Sequence, residues 1–108
     1  MPSIQLYRVM TRYHAGICGV TVAEILTGAR NPQEREKVGA LFSSFARVPL
    51  DEPVWELAGD IAARLRLQGT PMMLADITTA ATAIHHSLRL WTRDNHFERI
   101  RTVAPELA

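Results

Sequence analysis

The sequence is poor in cysteine, in long apolar runs and in excess charge. Cys18 is the single cysteine among 108 residues, so no internal disulfide can form, and a reducing compartment is expected. No apolar run approaches the ~20 residues of a membrane span, and residues 1–16 lack a signal-peptide pattern. The formal charge of +1 neither favours nor excludes a nucleic-acid partner, because a local basic patch needs no global excess. We therefore expect a cytoplasmic protein without a membrane segment.

The composition that is present is that of a small globular domain. Apolar residues make up 47% and charged residues 21% of the chain, and we expect residues 1–108 to form a single domain. Apolar periodicity predicts helices over 6–13, 23–28, 32–45, 51–69 and from residue 76, with a helical turn around residues 97–100. Short apolar runs predict strands at 17–22, 46–50, 88–92 and around 102–103. Alternating strands and helices predict an α/β sandwich with a mostly parallel sheet.

Two helix starts carry specific signals. Asn31 precedes Pro32 and stands three residues before Glu34, which is the pattern of a capped helix start. Asp51 is expected to cap the next helix, which should end at Gly69. The apolar stripe of that helix is predicted to comprise Val54, Leu57, Ala58, Ile61, Ala62 and Leu65.

Three carboxylates follow predicted strands or open predicted helices. Glu24 comes just after strand 17–22, Asp76 lies in a first helical turn, and Asp94 comes just after strand 88–92. Because parallel strands place their carboxyl ends at one edge of a sheet, the three acids can converge there. Each also has a structural explanation, since the helix dipole favours an acid in a first turn and aspartate is common in turns. Together they would repel one another without a cation, and hard Mg²⁺ or Mn²⁺ ions prefer such oxygen ligands.

The sequence around these acids resembles the PIN-domain family and, within it, the VapC-type toxins. The segment from Thr21 to Gly28 is similar to the family pattern T-x-A-E-L-x-x-G. A second segment, which begins with Leu74-Ala75-Asp76 and continues in a helix of small residues, is similar to the pattern L-A-D-x-x-I-A-A-x-A. Thr92-Arg93-Asp94 begins a segment similar to T-R-D-x-D-F. The resemblance covers roughly residues 6 to 104 and implies a PIN-like three-layer sandwich.

The resemblance implies a metal-dependent endoribonuclease that uses Mg²⁺ or Mn²⁺ to hydrolyse RNA phosphodiester bonds by in-line attack of water. Glu24, Asp76 and Asp94 are the implied catalytic metal ligands. Thr92 can hydrogen-bond a ligand or a water beside them, and Arg93 can contact phosphate, although a solvated arginine is the competing interpretation. Such toxins are kept inactive by a cognate antitoxin protein, and they commonly form homodimers.

Two departures from the family pattern separate two functional hypotheses. His96 replaces the second acid of the last motif, and the family's central first strand with its aspartate has no counterpart in these 108 residues. Several alternatives would explain the missing strand. One is a misassigned start or a shortened chain, and another is a gene that encodes a decayed toxin. Alternatively, another segment or a partner chain replaces the strand, as in a strand-exchanged homodimer. The chain is therefore either a toxin ribonuclease or a catalytically inactive PIN-like module that binds or dimerises.

The adjacent histidines His85 and His86 are the other possible metal ligands in the sequence. Neighbouring residues on a helix point about 100° apart, so the pair is not expected to chelate one ion well. We expect the two residues to lie at a helix end, where the helix dipole favours a positive charge.

Overall fold

The computed structural model describes residues 16–90 and 97–108, and the predicted helix over 6–13 lies outside them. The chain divides into two compact units, one ending at Val48 and the other running from Pro49 to Ala108.

The first unit is built on a parallel strand pair with two helices in its crossover. Its elements are β1 (Gly16–Cys18), α1 (Gly19–Thr27), α2 (Pro32–Phe42) and β2 (Ala46–Val48). Gly16 pairs with Ala46 and Cys18 with Val48 in a parallel register. Parallel strands require a long crossover, which α1 and α2 supply. The described residues therefore have the mixed α/β character and the parallel sheet that the sequence predicts, consistent with a PIN-like fold.

The predicted strand 17–22 is corrected by the structure, because β1 ends at Cys18 and residues 19–22 are helical. A short apolar run fits a buried strand and a helix equally well, so its periodicity could not separate them. The end of α1 agrees with the prediction, since it stops before Gly28, whose N–H donates to the carbonyl of Ile25 at 3.1 Å.

The start of α2 has the predicted cap. The Asn31 side-chain oxygen accepts a hydrogen bond from the backbone N–H of Glu34 at 2.9 Å, and Pro32 occupies the first helical position. The helix ends at Phe42, three residues before the predicted end at residue 45. β2 ends at Val48, two residues earlier than predicted, and Pro49, which has no N–H to donate, follows it.

The second unit contains three helices, α3 (Glu52–Leu67), α4 (Leu74–His85) and α5 (Glu98–Val103). α3 packs against both α4 and α5. Its predicted stripe is confirmed, with Leu57 and Ala62 partly buried and the other four residues fully buried. Ala80, Ala81 and Ala83 of α4 are also buried, and such small side chains let helices approach closely.

Two predicted strands of this unit are wrong within the described residues. Residues 88–90 form no strand, although the N–H of Leu90 donates to the carbonyl of Ala108 at 3.1 Å. Residues 91–92, the rest of that prediction, lie outside the described residues. Thr102 and Val103 belong to α5 instead of a strand, and the predicted turn around 97–100 is the start of this helix.

Candidate metal and RNA site

Glu24 lies in the middle of α1, because that helix begins at Gly19 and has no acid in its first turn. The expectation that Glu24 opens the helix is therefore wrong. Glu24 is exposed, and its backbone carbonyl accepts a hydrogen bond from Oγ1 of Thr27 at 2.6 Å. Favourable interaction with the amino-terminal helix dipole falls off after the first turn, so it no longer explains an acid here.

Asp76 lies where the sequence predicts it, in the first turn of α4. It is partly buried, and the next two residues, Ile77 and Thr78, are fully buried in the core of the second unit. The backbone at this turn is closed by a hydrogen bond from the Ile77 N–H to the Met73 carbonyl at 3.2 Å. Core packing therefore holds the Asp76 backbone in a defined position at the amino-terminal end of α4.

Two of the three threonines of α4 satisfy their hydroxyls within the helix. Thr79 Oγ1 donates to the Ala75 carbonyl at 2.9 Å, and the buried Thr82 Oγ1 donates to the Thr78 carbonyl at 2.8 Å. Because of these hydrogen bonds, α4 can carry threonines and still pack on α3 without leaving their buried hydroxyls unpaired.

The third motif falls outside the described residues. Asp94, Thr92 and Arg93 all lie within residues 91–96, so their predicted roles stay predictions. Glu24 belongs to the first unit and Asp76 to the second, and the convergence of the three acids stays a prediction as well.

The donor chemistry of the two described acids fits a hard divalent cation. Both offer carboxylate oxygens, the ligand type that Mg²⁺ and Mn²⁺ prefer, and Glu24 is open to solvent. Magnesium usually binds through one or two carboxylates and keeps several water ligands, so a site with few protein ligands suits it.

A second possible metal-binding group, which the sequence pattern does not predict, lies at the other end of α4. One ligand atom from each of Asp51, His85 and His86 lies within 4.8 Å of the other two. The expected helix-end position of the histidines is confirmed, since His85 is the last residue of α4. His86 follows as the C-cap with φ −92° and ψ 8°. Although neighbouring helical side chains point about 100° apart, both imidazoles offer a nitrogen within 4.8 Å of a carboxylate oxygen of Asp51.

Comparison with known proteins gives one family. The PIN domain family model matches residues 4–103, which are 100 of the 108 residues and include all three motifs. The chain therefore belongs to the PIN domain family, for which nuclease activity and the use of a divalent metal are general. No curated protein matches the chain. Among the described residues, no helix is long and apolar enough to cross a membrane.

Proposed function

We propose that this chain is a metal-dependent PIN-type endoribonuclease that acts as the toxin of a toxin–antitoxin pair. The observation that carries the proposal is the family match across the three acidic motifs, with Asp76 in the predicted first turn of a well-packed helix. The proposed partners are an RNA substrate, a cognate antitoxin protein and a second copy of the chain.

Glu24, Asp76 and Asp94 are the residues that would hold Mg²⁺ or Mn²⁺. A divalent ion bound there would lower the pKa of water and offset the charge of the attacked phosphate. The protein's own part is to concentrate negative charge at one point and to position the phosphodiester bond. Arg93 can pair two N–H groups with phosphate oxygens, and the Thr92 hydroxyl can orient a carboxylate or a water.

To test the proposal, cleavage of a structured RNA is measured for the unchanged chain and for the Asp76→Asn variant. The exchange keeps the shape of the side chain and removes its charge, so we expect cleavage in Mg²⁺ or Mn²⁺ to fall by at least about 100-fold, since even groups that only support a metal ligand contribute 10–100-fold. Chelator should abolish the activity of the unchanged chain.

Asp60→Asn is the matched control, because Asp60 is an exposed aspartate of α3 in none of the three motifs. It should cleave like the unchanged chain. Equal activity of the Asp76 variant would contradict the proposed role of this residue. A folded chain that cuts no RNA under any of these conditions would favour the alternative, a PIN-like module that binds without catalysis.

A further inference from the structure

The carboxyl-terminal end of α4 carries a side-chain cluster unrelated to the acidic motifs. Nε2 of His85 lies 3.6 Å from Oδ2 of Asp51. The rings of His85 and His86 are close and nearly perpendicular, with centroids 4.9 Å apart and an interplanar angle of 81°. His85 is nine residues beyond Asp76 on the same helix, or about 13 Å along its axis. The cluster and Asp76 therefore lie at opposite ends of α4.

Asp51 is available to this cluster because the helix that follows it does not use its carboxylate. Asp51 occupies the expected N-cap position of α3, but its side chain makes no capping hydrogen bond. Such a bond goes to the second or third N–H of a helix. Pro53 at the second position has no N–H, and the third, from Val54, donates to the Asp51 carbonyl at 3.0 Å. The predicted side-chain cap is thus wrong, and the carboxylate faces His85 instead.

His86 is held in an orientation that suits a metal ligand. Its Nε2 lies 2.9 Å from the Pro49 carbonyl oxygen. A carbonyl oxygen only accepts, so Nε2 carries the proton of this hydrogen bond and the neutral ring has its lone pair on Nδ1. Metal-binding histidines commonly donate their other ring N–H to a backbone carbonyl, which fixes the tautomer and the ring orientation.

The separations are close to those of a metal site. Two ligands about 2.0–2.1 Å from a tetrahedral ion lie about 3.3 Å apart, and the His85–Asp51 pair is at 3.6 Å. The ligand atoms of the cluster lie up to 4.8 Å apart, and a pair at that distance needs a side-chain rotation to reach the same ion. The side chains of His85 and Asp51 are 34% and 46% exposed, so water can fill the remaining coordination positions and a rotation meets little resistance.

We propose that Asp51, His85 and His86 bind one transition-metal ion of the zinc class, separately from the acidic site. Two imidazoles and one carboxylate suit Zn²⁺, Co²⁺ or Ni²⁺ better than Mg²⁺, which prefers oxygen ligands alone. The ion would join the start of α3 to the end of α4. Since it binds the folded chain, it stabilises this helix pair.

The test is calorimetric titration of the full chain with Zn²⁺, together with its melting temperature. We expect one ion per chain at this cluster, a higher Tm with Zn²⁺, and at least tenfold weaker binding in Asp51→Asn and in His85→Ala. Glu52→Gln is the matched control, since it removes an exposed acid one residue along and should bind Zn²⁺ unchanged. Binding should also persist in Asp76→Asn.

Nuclear magnetic resonance of the imidazole nitrogens in the unchanged chain keeps the test independent of how the variants fold. Zn²⁺ should shift the His85 and His86 signals together. Absence of zinc binding, binding that survives the loss of both Asp51 and His85, or binding that is lost in Asp76→Asn would overturn the proposal. None of these outcomes depends on ribonuclease activity, so this proposal and the proposed function fail separately.

Discussion

At the scale of single residues, Arg30 and Glu34 form a salt bridge in the first unit. Nε of Arg30 donates to both carboxylate oxygens of Glu34, and Nη2 donates to Oε2. The Arg30 backbone N–H donates to Oε1 at 3.1 Å. These hydrogen bonds, first from the guanidinium and then from the backbone, lower the pKa of the Glu34 carboxyl below its ordinary value. The charged form is thus favoured in the folded chain.

We predict that a carbon-detected titration of Glu34 gives a midpoint below that of an exposed glutamate. Because the folded pKa is lowered, the pair contributes stability above the unfolded pKa and loses it as pH falls through the folded pKa. Arg30→Ala should raise the midpoint, because it removes the guanidinium hydrogen bonds and leaves the one from the backbone N–H. Arg35→Ala, which removes the next guanidinium on α2, should leave it low. A midpoint indifferent to Arg30 would contradict this account.

Gly16 is required by the close approach of the two strands. A Cβ at this position would lie 2.5 Å from Cγ2 of Val48 and 3.3 Å from the carbonyl oxygen of Ala46. The branched Val48 side chain has few rotamers with which to yield. We predict that Gly16→Ala destabilises the first unit by about 1–3 kcal/mol, the usual cost of overpacking, in urea denaturation followed by NMR signals of that unit.

Gly59→Ala is the matched control for the same measurement. Nothing lies within 4 Å of a Cβ at Gly59, which is in the interior of α3. Alanine in a helix interior is more stable than glycine by about 0.5–1 kcal/mol, so this exchange should stabilise its helix. Loss of stability at Gly59 and none at Gly16 would reverse the expected order and contradict the close packing of the strands.

At the scale of elements, α3 is the helix on which the second unit is assembled. Ile61 is fully buried between the helices packed against it, whereas Leu67 at the end of the same helix is 84% exposed. We predict that Ile61→Ala lowers the free energy of unfolding by about 2–5 kcal/mol, because it removes buried methyl groups and leaves a cavity. Thermal or chemical denaturation of the chain measures the loss.

Leu67→Ala removes an aliphatic side chain of the same size from the same helix and serves as the control. Because surface exchanges usually change stability by no more than about 0.5 kcal/mol, its denaturation should nearly match that of the unchanged chain. Similar losses from both exchanges would contradict the burial pattern of α3.

The elements differ in how far the sequence could predict them. The start of α2 was predictable because Asn31 and Pro32 act through local backbone chemistry, and α3 because its apolar residues repeat over about three turns. The two short strands were predicted but their bounds were not, since a run such as residues 17–22 has no period long enough to show where strand gives way to helix. The position of Asp76 was predictable from its motif, whereas Glu24 lies in the middle of its helix instead of at the start, because β1 ends early and the helix begins at Gly19.

The Asp51–His85–His86 cluster escaped prediction for a different reason. It depends on which atoms satisfy the first turn of α3 and on the non-helical backbone of His86, which only the folded chain defines. The adjacent Pro53 was the available signal, because a proline at the second helical position removes one of the two N–H groups that Asp51 could cap.

At the scale of the whole molecule, the PIN domain match runs across both compact units. The prediction of a single domain over residues 1–108 stays a prediction. The proposed ribonuclease needs Glu24 from the first unit and Asp76 from the second to share one ion, so the central claim concerns the chain as a whole.

The measurement that tests this claim most directly is paramagnetic broadening of backbone NMR signals by Mn²⁺ added in small amounts to the full chain. We predict that signals around Glu24, Asp76 and Asp94 broaden together, and that Asp76→Asn reduces the effect at all three. Asp60→Asn should leave the pattern unchanged. Broadening that spares either Glu24 or Asp76, or that survives Asp76→Asn at Glu24 and Asp94, would contradict a shared metal site.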